Sequence, residues 1–120
     1  MHEEEKLRLL NHVRPCVHCI TNPVTMQDVA NILLAAGGSA IMAQDPEEVR
    51  EIAGLCQALL LNTGVPDKEK LWGCLLAGER ANALGIPVIL DPVGAGASHF
   101  RMQELERLTK QVRLTLIRCN

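Results

Sequence analysis

The residues best equipped for chemistry lie in one stretch, residues 86–97, which reads IPVILDPVGAGA. Five apolar residues, 86–90, run between Gly85 and Asp91-Pro92. An apolar run without alternation is how a strand buried on both faces reads. Asp91 then stands where the strand leaves the sheet, and Gly94 and Gly96 follow in a loop whose backbone a ligand can approach closely. A carboxylate beside bare amide groups can place a metal-bound anion and a backbone cradle together. The ligands of open α/β sheets bind outside the carboxyl ends of the strands, so this edge is the first candidate site. It is not a dinucleotide fingerprint, because the run from Gly94 has the form GxGxxH and lacks the third glycine. Nor is it a phosphate loop of the GxxxxGK(S/T) type, because no Lys-Ser or Lys-Thr follows.

The elements that must position these residues alternate along the chain. Residues 3–11 read as a helix, and Pro15 releases the chain into an extended run, residues 16–20, that ends at Thr21-Asn22-Pro23. Thr25 and Asp28 have the spacing of a capping box for a helix presenting Val29, Ile32, Leu33 and Ala36, closed by Gly37-Gly38. Residues 39–43 form a second apolar run. Asp45 at the cap and Pro46 at the first position open a helix to about Leu55. A third run, residues 58–61, exits at Asn62-Thr63-Gly64, which taken alone reads as an ordinary turn. Asp67 caps a longer helix with Leu71, Leu75 and Leu76 toward the core, ending at Gly85. Met102, Leu105 and Leu108 mark one more helix, and residues 114–117 a fifth strand, leaving through Arg118-Cys119-Asn120. This alternation predicts a single α/β domain over residues 1–120, with a largely parallel sheet, helices on both faces and right-handed crossovers.

Composition narrows the function. The chain has 120 residues, 48% hydrophobic but only 2% aromatic, so its core is aliphatic. A formal charge of −2 and a pI near 6.1 give no broad attraction to nucleic acid or to an anionic membrane. The acidic N-terminal residues lack the pattern of a signal peptide, and no apolar run reaches the roughly 18 residues of a membrane span. A soluble, cytoplasmic protein is expected. Five cysteines are an odd number scattered through apolar segments, which fits reduced buried thiols better than a disulfide framework. Cys16 and Cys19 have CxxC spacing, but inside a predicted strand they point to opposite faces, and no second ligand pair completes a zinc set. His18 reads as a core or near-site histidine, whereas His2, His12 and His99 read as surface positions.

Taken in order, HCITNPVTMQDVANILLAAGGSAIMA, ALLLNTG, GIPVILDPVGAGASHFR and VRLTLIRCN resemble the N-terminal half of the hydroxyethylthiazole kinases, a ribokinase-like α/β family. The resemblance implies ATP- and Mg2+-dependent phosphorylation of the primary alcohol of hydroxyethyl-methylthiazole, a salvage step in thiamine biosynthesis. It implies substrate contacts from Met42 and from Asn22 in a closing loop, and an ATP contact from Arg118. Asp91 corresponds to an aspartate associated with magnesium and phosphate, Asn120 to the first residue of a metal-holding NxxE element, and Gly94 and Gly96 to the phosphate loop. These roles suit the side chains: fixed donors for phosphate, a hard oxygen ligand, and a soft apolar contact for a sulfur heterocycle. The resemblance also implies a homotrimer with the thiazole pocket at subunit interfaces.

Two departures accompany the resemblance. Cys119 stands where the family usually has glycine, and the sequence ends at Asn120, about halfway through a family member. The catalytic base and anion hole are therefore expected outside these residues, giving a truncated fold with little or no kinase activity of its own. A different class of function, a non-catalytic relative that binds the thiazole or co-assembles with a full-length kinase, is the alternative.

Overall fold

The structure, a computed structural model, describes residues 1–120. Its ten elements are α1 (Glu3–Val13), β1 (Cys16–Ile20), α2 (Met26–Ala35), β2 (Ser39–Met42), α3 (Val49–Ala53), β3 (Ala58–Asn62), α4 (Lys68–Leu84), β4 (Val88–Asp91), α5 (His99–Gln111) and β5 (Leu116–Ile117). The five strands pair in parallel in the order β2-β1-β3-β4-β5. The chain moves one way from β1 to β2 and the other way thereafter. Right-handed crossovers therefore set α2 on one face and α3, α4 and α5 on the other. The reversal falls between β1 and β3, the position where sheets of this order open a crevice at their carboxyl edge.

The two faces are covered unequally. On the α4 side, Ile20, Leu59, Leu61, Val88 and Leu90 pack with Val49, Cys74, Leu75, Leu76, Ala77, Ala81, Leu108 and Val112 into one buried cluster. On the other face Leu60 and Ile89 are half-buried and Leu116 is exposed. The helix α2 contributes no fully buried residue, and Ile32, expected on its packed face, is 67% exposed. No helix is long and apolar enough to cross a membrane.

Several ends differ from the sequence-based expectation for local reasons. The Thr25 capping box does not form; the Thr25 hydroxyl lies 3.0 Å from that of Thr21 instead. After Asp45-Pro46 the chain makes a turn, with Asp45 Oδ1 accepting from the Glu47 amide, and α3 occupies only Val49–Ala53. The central strand begins at Val88, since Pro87 has no amide hydrogen to donate, although its carbonyl accepts from the Leu59 amide at 3.0 Å. In β5 two residues are regular strand, but the Thr115 and Arg118 amides extend its bonding to β4.

His18 is a core histidine. It is 0% exposed, Nε2 donates to the Ala43 carbonyl at 2.8 Å, and Nδ1 has no partner. Burial pushes its pKa below the ordinary 6.5, against smaller upward effects from the Ala43 carbonyl and Glu48. The unfolded chain then binds a proton that the folded one excludes, so stability falls as pH drops below 6.5, by up to about 1.4 kcal/mol per pH unit. Denaturant unfolding between pH 7 and 5 should show this loss, and His18→Gln should flatten it. An unchanged slope in the variant would assign the acid limb to other groups.

Candidate functional site

The parallel sheet brings the strand exits to one edge, where they stand in a row: Met42 ending β2, Asn22 after β1, Asn62 ending β3, Asp91 ending β4 and Arg118 after β5. Four strand spacings separate the ends of this row, about 19 Å. Its middle is a continuous set of side-chain hydrogen bonds. Asn22 Nδ2 donates to Asn62 Oδ1 at 2.9 Å, and Asn62 Nδ2 donates to Asp91 Oδ2 at 3.1 Å. Asn62 Oδ1 also accepts from the Gly64 amide at 2.9 Å, while Asn22 Oδ1 accepts from the Val24 amide at 3.0 Å. Asn22, Asn62 and Thr63 are buried polar residues, and these bonds satisfy both asparagine side chains.

Behind the Gly64 turn lies Lys70, only 3% exposed, in the first turn of α4. Its Nζ donates to the Gly64 carbonyl at 2.6 Å. Burial pulls its pKa below that of an ordinary lysine, with Arg101 acting in the same direction and Cys74 and Asp67 opposing. The lysine thus holds Gly64 from one side while Asn62 holds it from the other. Next to it Val65 adopts a left-handed conformation, φ 48°, uncommon for a β-branched residue. The turn is consequently fixed from three directions, and with it the amide that orients Asp91.

Asp91 opens onto a cavity of about 500 Å³ lined by residues 91–96 together with Arg118, Cys119 and Asn120. Arg118 Nη1 lies 4.0 Å from Asp91 Oδ1, with the arginine side chain 67% exposed. An exposed pair at this separation contributes little stability, so the guanidinium remains available to an anion. Gly94 has φ 63°, and Arg101 reaches back over the loop, Nη1 donating to the Val93 carbonyl at 3.0 Å. A Cβ at Gly94 would meet that guanidinium at 2.8 Å, whereas a Cβ at Gly96 would meet nothing within 4 Å. The glycine at position 94 is thus required by backbone and neighbour, and the one at 96 leaves open the space that a ligand would fill. Ser98 Oγ accepts from the Arg101 amide at 3.1 Å and starts α5 directly after this loop.

Asp91 is the only acidic residue lining the cavity, and Asn120 adds a carboxamide. No group of three or more His, Cys, Asp or Glu side chains is arranged to hold a metal ion. One carboxylate with a neutral oxygen suits a magnesium ion that arrives with phosphates and keeps its waters, rather than a metal held by protein alone. Asp91, Gly94, Gly96, Arg118 and Asn120 therefore meet in one cavity. Asn22 reaches that cavity through Asn62, and Met42 stands apart on the edge strand. Lys70 and Arg101 carried no sequence signal as site residues, since each contributes by reaching a backbone carbonyl that only the fold brings near.

Residues 7–120 match the hydroxyethylthiazole kinase family. The chain is 54% identical over 106 residues to the hydroxyethylthiazole kinase of Desulfovibrio desulfuricans, covering 88% of this chain and 37% of that protein. To that of Alkaliphilus metalliredigens it is 48% identical over 120 residues, covering 98% and 44%. The solved structure of a hydroxyethylthiazole kinase protein from Pyrococcus horikoshii OT3 superposes with a TM-score of 0.92 at 40% identity, over 97% of this chain and 45% of that one. The chain thus spans about two-fifths of the length of the curated relatives it matches. The receiver domain of the sensor histidine kinase PA1611 from Pseudomonas aeruginosa shares the fold alone, at a TM-score of 0.62 and 15% identity over 88% of this chain and 84% of that one.

Proposed function

The chain belongs to the hydroxyethylthiazole kinase family, and on that premise we propose that its carboxyl edge forms part of the site at which ATP phosphorylates the primary alcohol of hydroxyethyl-methylthiazole. The observation that carries this reading is the cavity uniting Asp91, Arg118, Asn120 and the Gly94–Gly96 backbone. In it a carboxylate, a guanidinium and open backbone converge without any second acidic group to repel phosphate.

The row of strand exits gives each residue a place. Met42 and Asn22 stand on the β2 and β1 side and contact the thiazole. Arg118 stands on the β5 side and binds phosphate oxygens of ATP, which its planar fork of donors matches. Asp91 and Asn120 would hold Mg2+, which would neutralise charge on the phosphates. Asn62 fixes the rotamer of Asp91 by donating to Oδ2, leaving Oδ1 toward the cavity and Arg118. The Gly94 and Gly96 backbone approaches the phosphates from the loop. Phosphoryl transfer depends chiefly on such positioning and charge stabilisation. The group that activates the hydroxyl and the remaining anion contacts come from the portion of the relatives' length that this chain does not span. Met42 lies at the outer strand, three strands from Asp91, which supports a thiazole pocket shared with a neighbouring subunit of a homotrimer.

The test is turnover by the polypeptide that carries this sequence, supplied with the thiazole alcohol, ATP and Mg2+. Formation of the phosphorylated thiazole, abolished by chelation of the metal and restored by Mg2+, is the expected result. Thiazole binding without turnover would favour the alternative of a binding or co-assembling module, and the absence of both would remove the assignment.

A further inference from the structure

We propose that Cys16 and Cys56 form a dithiol site at the amino edge of the sheet, opposite the kinase site, that closes reversibly to a disulfide by exchange with a small-molecule disulfide of the glutathione type. Their Sγ atoms lie 3.5 Å apart although forty residues separate them in sequence. Cys16 begins β1 and is half-buried, and Cys56, 4% exposed, sits two residues before β3. The backbone holds them in this register. The Gln57 amide donates to the Cys16 carbonyl at 2.9 Å, and the Cys16 amide donates to Gln57 Oε1 at 2.7 Å. Closing the gap to the roughly 2.05 Å of a disulfide joins the first residue of β1 to the turn before β3, which these bonds already hold side by side.

The other cysteines are not placed for this reaction. Cys19, three residues along the strand, points to the opposite face from Cys16, so the CxxC spacing is not the pair that the fold assembles. Cys74 is 0% exposed inside the core, where burial pushes its pKa up to about 12. Cys119 is exposed at the opposite edge of the sheet, beyond the reach of another thiol.

Exchange proceeds in two balanced steps. The accessible Cys16 thiolate attacks the small disulfide RSSR, forming Cys16–S–S–R and releasing one RSH once the leaving thiolate takes up a proton. Cys56, as thiolate, then attacks Cys16 Sγ, forming the internal disulfide and expelling the second RSH. Two protein thiols are oxidised and one RSSR is reduced to two RSH. Burial, the largest cause of the raised Cys56 pKa, persists once Cys16 is a mixed disulfide and keeps the Cys56 thiolate scarce, so the second step is the slow one. The product links the start of β1 to the turn before β3, enclosing α2, β2 and α3. Such a loop constrains the unfolded chain and stabilises the fold.

The polypeptide carrying this sequence is incubated with glutathione disulfide, alkylated and mapped by mass spectrometry, with melting followed in parallel. The expected result is a Cys16–Cys56 cross-linked peptide, reversed by dithiothreitol, with a rise in melting temperature of at least about 5 °C. Cys56→Ser should stop at a glutathione adduct on Cys16, without that rise. Recovery of Cys16 and Cys56 as alkylated thiols, while Cys119 alone carries glutathione, overturns the proposal. So does a cross-link that forms only in denaturant.

Discussion

Asp91→Ala is expected to lower kcat/KM for thiazole phosphorylation by about 10²–10³-fold in the polypeptide carrying this sequence, the scale found when one preorganised charge-stabilising group is removed from a transfer site. The loss should fall on kcat, because Asp91 stands between the proposed thiazole and nucleotide sides of the row. Without it no carboxylate lines the cavity. Arg118 would remain, but an arginine repels the metal that the phosphates bring. The carboxyl group also accepts from Asn62, so the variant's stability needs a separate measurement. Asp91→Asn divides the two effects, since it keeps an oxygen for Asn62 and removes the charge. That variant should melt close to the parent and require more Mg2+ for half-maximal rate. Full activity of Asp91→Ala at ordinary Mg2+ would take Asp91 out of the metal site.

What sequence reveals about such a site depends on how local each interaction is. The exit of Asp91 from a buried strand and the glycine loop that follows it are consequences of a few adjacent residues, so pattern alone locates them. The strand alternation likewise yields the parallel sheet, because each run must bury both faces. Asn62 illustrates the limit. Its triplet Asn62-Thr63-Gly64 has the composition of a turn and does make one, yet the same side chain also bridges Asn22, forty residues away, and Asp91, twenty-nine residues away. No local rule distinguishes an asparagine that only turns the chain from one that also spans three strands. Lys70 is a similar case, a charge in a helical first turn that carries no local signal of burial and is buried on a carbonyl. The helix α2 shows the converse. Its apolar positions imply a partner surface, but periodicity does not specify which surface meets them, and in this structure Ile32 and Leu34 remain exposed.

Asn62→Asp puts the central bridge to its most demanding test, since the change is nearly isosteric and replaces the donor facing Asp91 with an oxygen. Two carboxylates would then stand about 3 Å apart, where both cannot remain ionised without strong repulsion. The fold can relieve this by binding one proton between them. That relief limits the damage at pH 7 to about 4 kcal/mol, the work of protonating an ordinary aspartate there. The sign of the pH dependence follows. The folded variant holds a proton that its unfolded chain releases, so its stability relative to the parent should recover as pH falls, by about 1.4 kcal/mol per unit toward pH 4, against the His18 loss that both proteins share. The parent has no such pair and should show no matching recovery. Denaturant unfolding of both proteins from pH 7 to 4.5 measures the difference directly. A variant equally destabilised at every pH would mean that the lost amide bond, rather than the paired charge, dominates. A variant as stable as the parent at pH 7 would show that Asn62 and Asp91 are not in contact. The shared proton, held across this whole range, would also occupy the carboxylate proposed to meet Mg2+, so the same substitution should depress activity even at the acid end, where the fold tolerates it best.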